Sequence, residues 1–285
     1  MKWKRGRRST NVEDRRGSGG GTMKLGLGGL AVIVVLSLVM GKNPMEMLAI
    51  VSQLGGESPG TSQPVQRTAA EEEAAEFVAS ILGETEDVWT EIFRRRGATY
   101  PSPRLVLFTG QVASACGGAS AAVGPFYCPG DSTIYIDLSF FKQMEARLGG
   151  GGDFAEAYVI AHEVGHHVQA VTGILDTVNS ARAGGAEMAG AGGLLVRQEL
   201  QADCYAGVWG HRAQQRHAWL EPGDLEEAMQ TASAIGDDNL QRQGRGRVVP
   251  DSFTHGTSEQ RVRWFRQGFD SGDPSDCDSF AAERL

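Results

Sequence analysis

A chain of 285 residues, 41% hydrophobic and 22% charged, is long enough for one globular domain with a sizeable core plus appendages. Its net charge of −8 is unevenly spread: residues 1–24 carry eight Lys or Arg (Lys2, Lys4, Arg5, Arg7, Arg8, Arg15, Arg16, Lys24) against Glu13 and Asp14, a net of +6, which leaves −14 for the remainder. An acidic body argues against nucleic acid as a partner, because phosphate binding needs clustered positive charge.

Residues 1–24 therefore read as a basic leader. The run Leu25 to Met40 (LGLGGLAVIVVLSLVM) carries no charge and lies between Lys24 and Lys42. It is at the short end of the roughly 17–25 residues of a membrane-spanning helix, which is expected over 25–41. The long leader and the lack of a clear A-x-A cleavage site favour an uncleaved anchor over a signal peptide. Positive charge before the span keeps the leader in the cytoplasm and sends the rest of the chain to the far side, in the periplasm or at the cell exterior. Residues 42–68, rich in Gly, Ser, Pro and Gln around GGESPGTSQPVQRT, read as a flexible linker.

The folded domain is expected over 69–285. From Ala70 to about Arg96, the residues Phe77, Val78, Ile81, Leu82, Val88, Trp89, Ile92 and Phe93 recur at steps of three and four, the pattern of a core-facing helix. Glu71, Glu72 and Glu73 suit its first turn. Arg104 to Thr109, Phe126 to Cys128 and Thr133 to Leu138 read as short strands of a small antiparallel sheet, with a Gly/Ala/Ser-rich loop between the first two. Phe140 to Leu148 follows as a short helix. Asp153 and Glu156 then open a helix as a capping box, and that helix runs to about Thr172. A glycine-rich loop covers 182–193. Further helices are expected over Leu194 to His217, over Asp224 to about Gln243 with Gly236 as an interruption, and from a Thr257/Gln260 cap to Gly268. Helix, strands, then helices make an α+β domain.

Four cysteines allow three pairings, and an oxidising compartment favours two disulfides. Cys116–Cys128 closes a short loop and Cys204–Cys277 pins the C-terminal tail, so these two are the preferred pairs.

The chemistry lies in His162-Glu163-Val164-Gly165-His166, an H-E-x-x-H. Residues four apart on a helix share one face, so two imidazoles can meet one zinc ion at about 2.0–2.1 Å. Glu163 stands beside them, where it reaches water at the metal. The surrounding residues are apolar, and buried polar groups need partners, which a metal provides. A catalytic zinc takes a third protein ligand. The metzincin pattern needs Gly at 169 and His at 172, where this chain has Gln169 and Thr172. His167 points away on the helix. Glu199 is the better candidate, and it shares a face with Asp203. One carboxylate can bind zinc while the other accepts the free N–H of a zinc histidine.

H-E-x-x-H followed by E-x-x-x-D is the gluzincin pattern. AHEVGHHVQ, RQELQADCYAGVW and SEQRVRWFRQGF, with NVEDRR, GPFYCP and the tail cysteine, resemble the neutral zinc metallopeptidase family of bacterial membrane-anchored proteins across almost the whole chain. The resemblance implies a gluzincin fold binding one Zn2+ through His162, His166 and Glu199, with Glu163 as general base and a protein or peptide as substrate. A T-H turn before an E-x-R helix occurs in related membrane gluzincins. It points to His255 near the site, for oxyanion stabilisation or at the metal, and to Arg261 as a partner of the acidic residues. The alternative is a non-catalytic, zinc-stabilised envelope protein that binds partners or acts like a chaperone. Glu163 discriminates, since a closed structural site has no use for that carboxylate.

Overall fold

The structure is a computed structural model that describes residues 1–17, 67–121, 124–148 and 151–285. Met1–Arg15 and Thr68–Leu285 form one compact unit, and Arg16–Arg67 is separate. The expected span (25–41) and nearly all of the expected linker lie outside the described residues. Among the described residues, no helix is long and apolar enough to cross a membrane.

The unit is α+β, and its elements follow local chemistry. Strand β1 (Val12–Asp14) comes first. Helix α1 (Ala69–Arg95) begins at Thr68, whose side chain accepts from the Glu71 backbone while the Glu71 side chain accepts from the Thr68 backbone. Its apolar stripe, from Phe77 to Ile92, is buried. Strands β2 (Arg104–Phe108), β3 (Gln111–Ser114), β4 (Gly117–Ser120), β5 (Phe126–Cys128) and β6 (Thr133–Asp137) follow. Helices α2 (Ser139–Leu148), α3 (Asp153–Val171), α4 (Ile174–Ala183), α5 (Leu194–His217), α6 (Asp224–Ala234), α7 (Asp237–Arg245) and α8 (Ser258–Ser271) complete the unit.

The main sheet has the order β1-β2-β6-β5. Alternation along its strands sends Leu105, Leu107, Ile134 and Ile136 into the main core under the helices. Val106, Phe108, Cys128 and Tyr135 make a smaller cluster on the other face. The sheet corrects the expectation of an antiparallel one. β1 and β2 are parallel, as are β2 and β6; only β5 pairs antiparallel with β6. The stretch read as a loop after Thr109 is a separate β3–β4 hairpin.

The leader is the second correction. Residues 1–15 belong to the folded unit, not to an appendage. Trp3 is buried edge-on against Phe77 with ring centroids 5.3 Å apart, and β1 extends the sheet beside β2. Smaller differences have simple causes. Gly152 rather than Asp153 caps α3, and no side-chain cap bond forms there. The helix expected over 224–243 is two, α6 and α7, with Gly236 at their junction. Both disulfides, Cys116–Cys128 and Cys204–Cys277, are present.

Two close approaches place the helices around the site. Gly165 of α3 faces Ala202 of α5, where a Cβ would stand 3.0 Å from the Ala202 backbone, so a side chain there would push the two helices apart by a few tenths of an ångström. α5 and α8 touch through Gly207 and Gly268, whose missing side chains leave room for the facing backbone.

Candidate metal centre

α3 presents His162 and His166 one turn apart, with ring centroids 4.7 Å apart. α5 brings Glu199 to them. Its Oε2 is 3.2 Å from His162 Nε2 and its Oε1 is 3.4 Å from His166 Nε2. One ligand atom from each residue falls within 4.8 Å of the others. Sequence reasoning named all three.

The outer nitrogens fix the tautomers. His162 Nδ1 donates to Asp203 Oδ1 at 2.8 Å. His166 Nδ1 meets Gln169 Oε1 at 2.9 Å. The Gln169 amide is oriented by its own bonds: Nε2 donates to the Gln198 carbonyl at 2.7 Å and to Gln201 Oε1 at 3.0 Å. Its oxygen must therefore face His166, so Nδ1 carries the proton and the Nε2 lone pair is free for a metal. Gln201 Nε2 in turn donates to the Cys277 carbonyl at 3.0 Å.

Asp203 is fully buried and collects four donors. Arg261 grips it with Nε to Oδ2 and Nη2 to Oδ1, each at 2.8 Å. The Tyr158 hydroxyl donates to Oδ1 at 2.5 Å, and His162 supplies the fourth bond. Burial alone would raise the Asp203 pKa, but the charges of Arg261 and His162 hold it down to about 2. Burial works in the same way on Glu199, and His166 and His162 outweigh it, leaving that carboxyl well below its usual range. Burial pulls His162 down, but Asp203 and Glu199 lift it to about 10; His166 is raised by Glu199 against the same penalty. This field favours positive charge where the ring nitrogens and Glu199 converge. Two imidazoles and one carboxylate, with both ring tautomers set, fit zinc.

Glu163 is buried beside the pair and, among the described residues, bonds to no protein group. His255 lines the same cleft but is not among the converging atoms. Its Nδ1 lies 3.3 Å from Asp237 Oδ1, and Asp237 Oδ2 also accepts from the backbone of Thr254 and His255, each at 2.7 Å. That hydrogen bond raises the His255 pKa despite partial burial.

The cleft holds about 600 Å³ and is walled by Phe126, Tyr127, Phe140, Leu175, Ile235 and Leu240. β5 forms one side. It is the sheet's edge, paired only with β6 among the described residues. His167, set aside as a ligand, ties this edge to the metal helix: Nε2 donates to the Pro101 carbonyl at 2.6 Å, so Nδ1 accepts from the Tyr127 hydroxyl at 3.1 Å. Gln169, Tyr158 and Asp237 were missed in the sequence. Only Gln169 left a signal, three residues beyond His166 on one helical face.

A family model described as "Putative neutral zinc metallopeptidase" matches residues 1–280. "Uncharacterized protein YpfJ" of Escherichia coli (strain K12) is 49% identical over 290 residues, covering 98% of this chain and 99% of its own. "Uncharacterized protein Rv2575" of Mycobacterium tuberculosis is 47% identical over 196 residues, 65% of each chain. No solved structure matches.

Proposed function

The chain belongs to the neutral zinc metallopeptidase family, and from that premise we propose that it is a zinc-dependent endopeptidase of gluzincin type acting on protein or peptide substrates. The observation that carries this reading is the convergence of His162, His166 and Glu199 beside an uncommitted Glu163, at the floor of a cleft with a strand edge along it.

Zinc bound by His162, His166 and Glu199 supplies Lewis acidity toward a scissile carbonyl and toward water. The chain's own residues do the rest. Glu163 takes a proton from the attacking water and delivers it to the leaving amine. With Nδ1 committed to Asp237, His255 offers Nε2 to the oxyanion that develops on the carbonyl. An extended peptide adds to the free edge of β5, which the Tyr127–His167 bond holds in place against α3. The apolar walls exclude water and accept side chains. Asp203, gripped by Arg261, keeps His162 in the tautomer that leaves Nε2 free for zinc.

The test is Glu163→Gln, assayed on fluorescein-labelled casein with bound zinc measured in parallel. The expected result is unchanged zinc content and loss of cleavage. Equal cleavage by the variant and its parent would remove Glu163 from the mechanism. A parent that binds zinc and cleaves nothing would favour the non-catalytic alternative.

A further inference from the structure

We infer that residues 1–15 and residues 68–285 occupy one and the same side of any membrane the chain enters, so that the apolar run 25–41 does not separate them. By composition, the leader looks like a signal that orients a span. The fold uses it otherwise.

The main chain of the leader is bonded to the domain along its length. Lys2 N donates to the Trp219 carbonyl at 2.8 Å and Ser9 N to the Ala79 carbonyl at 2.8 Å. Val12, Glu13 and Asp14 pair in parallel register with Leu105, Val106 and Leu107, flanked by Leu105 N to Asn11 O at 2.9 Å and Arg15 N to Leu107 O at 2.8 Å. A bilayer's hydrocarbon core is about 30 Å thick, and no hydrogen bond reaches across it.

The side chains depend on each other in the same way. Glu86 of α1 is buried, and among the described residues every hydrogen bond to its carboxylate comes from the leader: Ser9 Oγ at 2.6 Å, Asn11 Nδ2 at 2.7 Å and Arg7 Nη2 at 2.7 Å. A leader on the far side would strand that carboxylate without a partner. Trp3 would leave its place against Phe77, and the buried strand β2 would lose the neighbour on its outer edge. Three of the cations that a topology rule counts are paired with carboxylates of α1 at the surface of the unit. Lys4 meets Glu73, Arg7 meets Glu86 and Asp87, and Arg8 meets Glu76. The positive-inside rule reads cations left free to face one leaflet, and Lys4, Arg7 and Arg8 are engaged by α1 instead. Two disulfides place the shared side in an oxidising compartment, outside the cytoplasm.

The experiment uses the full chain in its native membrane. All four cysteines are in disulfides, so single added cysteines give a clean signal. One is placed at the exposed Lys4 (Lys4→Cys) and one at the exposed Glu187 (Glu187→Cys). Spheroplasts are treated with a membrane-impermeant maleimide before and after lysis, with total thiol read in detergent as the reference. The expected result is strong labelling of both positions before lysis, in equal ratio. Labelling of one position but not the other before lysis overturns the inference. Labelling of both only after lysis keeps them on one side and overturns the oxidising assignment.

Discussion

Arg261→Met removes one half of a buried ion pair and leaves the other half in place. Arg261 is 3% exposed and Asp203 is 0% exposed. In the parent, Asp203 Oδ1 has three donors, whereas among the described residues the only hydrogen bond to Oδ2 comes from Arg261 Nε. Breaking such a pair typically costs about 3–5 kcal/mol, because a buried charge is left uncompensated. Tyr158 and His162 still serve Oδ1, so we expect the lower end, about 3 kcal/mol. His162 also loses part of what orients it, and zinc affinity should fall about 10–100-fold. The assay is urea unfolding followed by tryptophan fluorescence, run with chelator and again with saturating zinc. Arg261→Met combined with Asp203→Asn removes the stranded charge, and should recover at least about 1 kcal/mol relative to the sum of the single changes. A loss below about 1 kcal/mol for Arg261→Met alone, or strict additivity in the double variant, would refute the reasoning.

Further expectations follow from other contacts. Gln169→Leu deletes the acceptor on His166 Nδ1, and should weaken zinc binding about 10–100-fold in competition with a chromophoric chelator, with little change in helix content. His255 has its pKa raised above the usual 6.5 by Asp237. Its contribution to stability and to oxyanion binding is then complete below about 6.5 and lost as pH rises through the raised value. Asp237→Asn should move the alkaline limb of kcat/KM toward lower pH; a limb that stays put would detach His255 from catalysis. Replacing Cys204 and Cys277 with alanine opens a loop of 73 residues, which should cost on the order of 4 kcal/mol in urea unfolding.

What the sequence reveals is what is local on a helix. His162 with His166, and Glu199 with Asp203, are each four residues apart, and that spacing alone places them on one face. Thr257 with Gln260 is legible for the same reason, and a capping box forms there. The box read at Asp153 does not form, since the chain turns at Gly152 one residue earlier. Pairings across long separations are not written in any pattern. β1 is three residues long and finds β2 some ninety positions away, so its parallel register could not be anticipated. The Gly/Ala/Ser composition of 111–120 reads as loop because Val112 is its sole β-branched residue, although the backbone there closes a hairpin. Tyr158 looks like one more core aromatic until Asp203 arrives from α5. The leader misleads because cations awaiting a membrane surface and cations awaiting glutamates have the same composition.

The amide relay from Cys277 through Gln201 and Gln169 to His166 has a bearing on when the protein can mature. Arg261 and the carbonyl of Cys277 both come from late in the chain, a hundred residues after the histidines they support. A nascent polypeptide that has exposed only α3 and α5 holds the ligands and their direct partners Asp203 and Gln169, but not Arg261 or the Cys277 carbonyl that brace those partners. The bracing of both histidines is therefore completed only when the last stretch of the chain has been made and the Cys204–Cys277 disulfide holds the tail against α5.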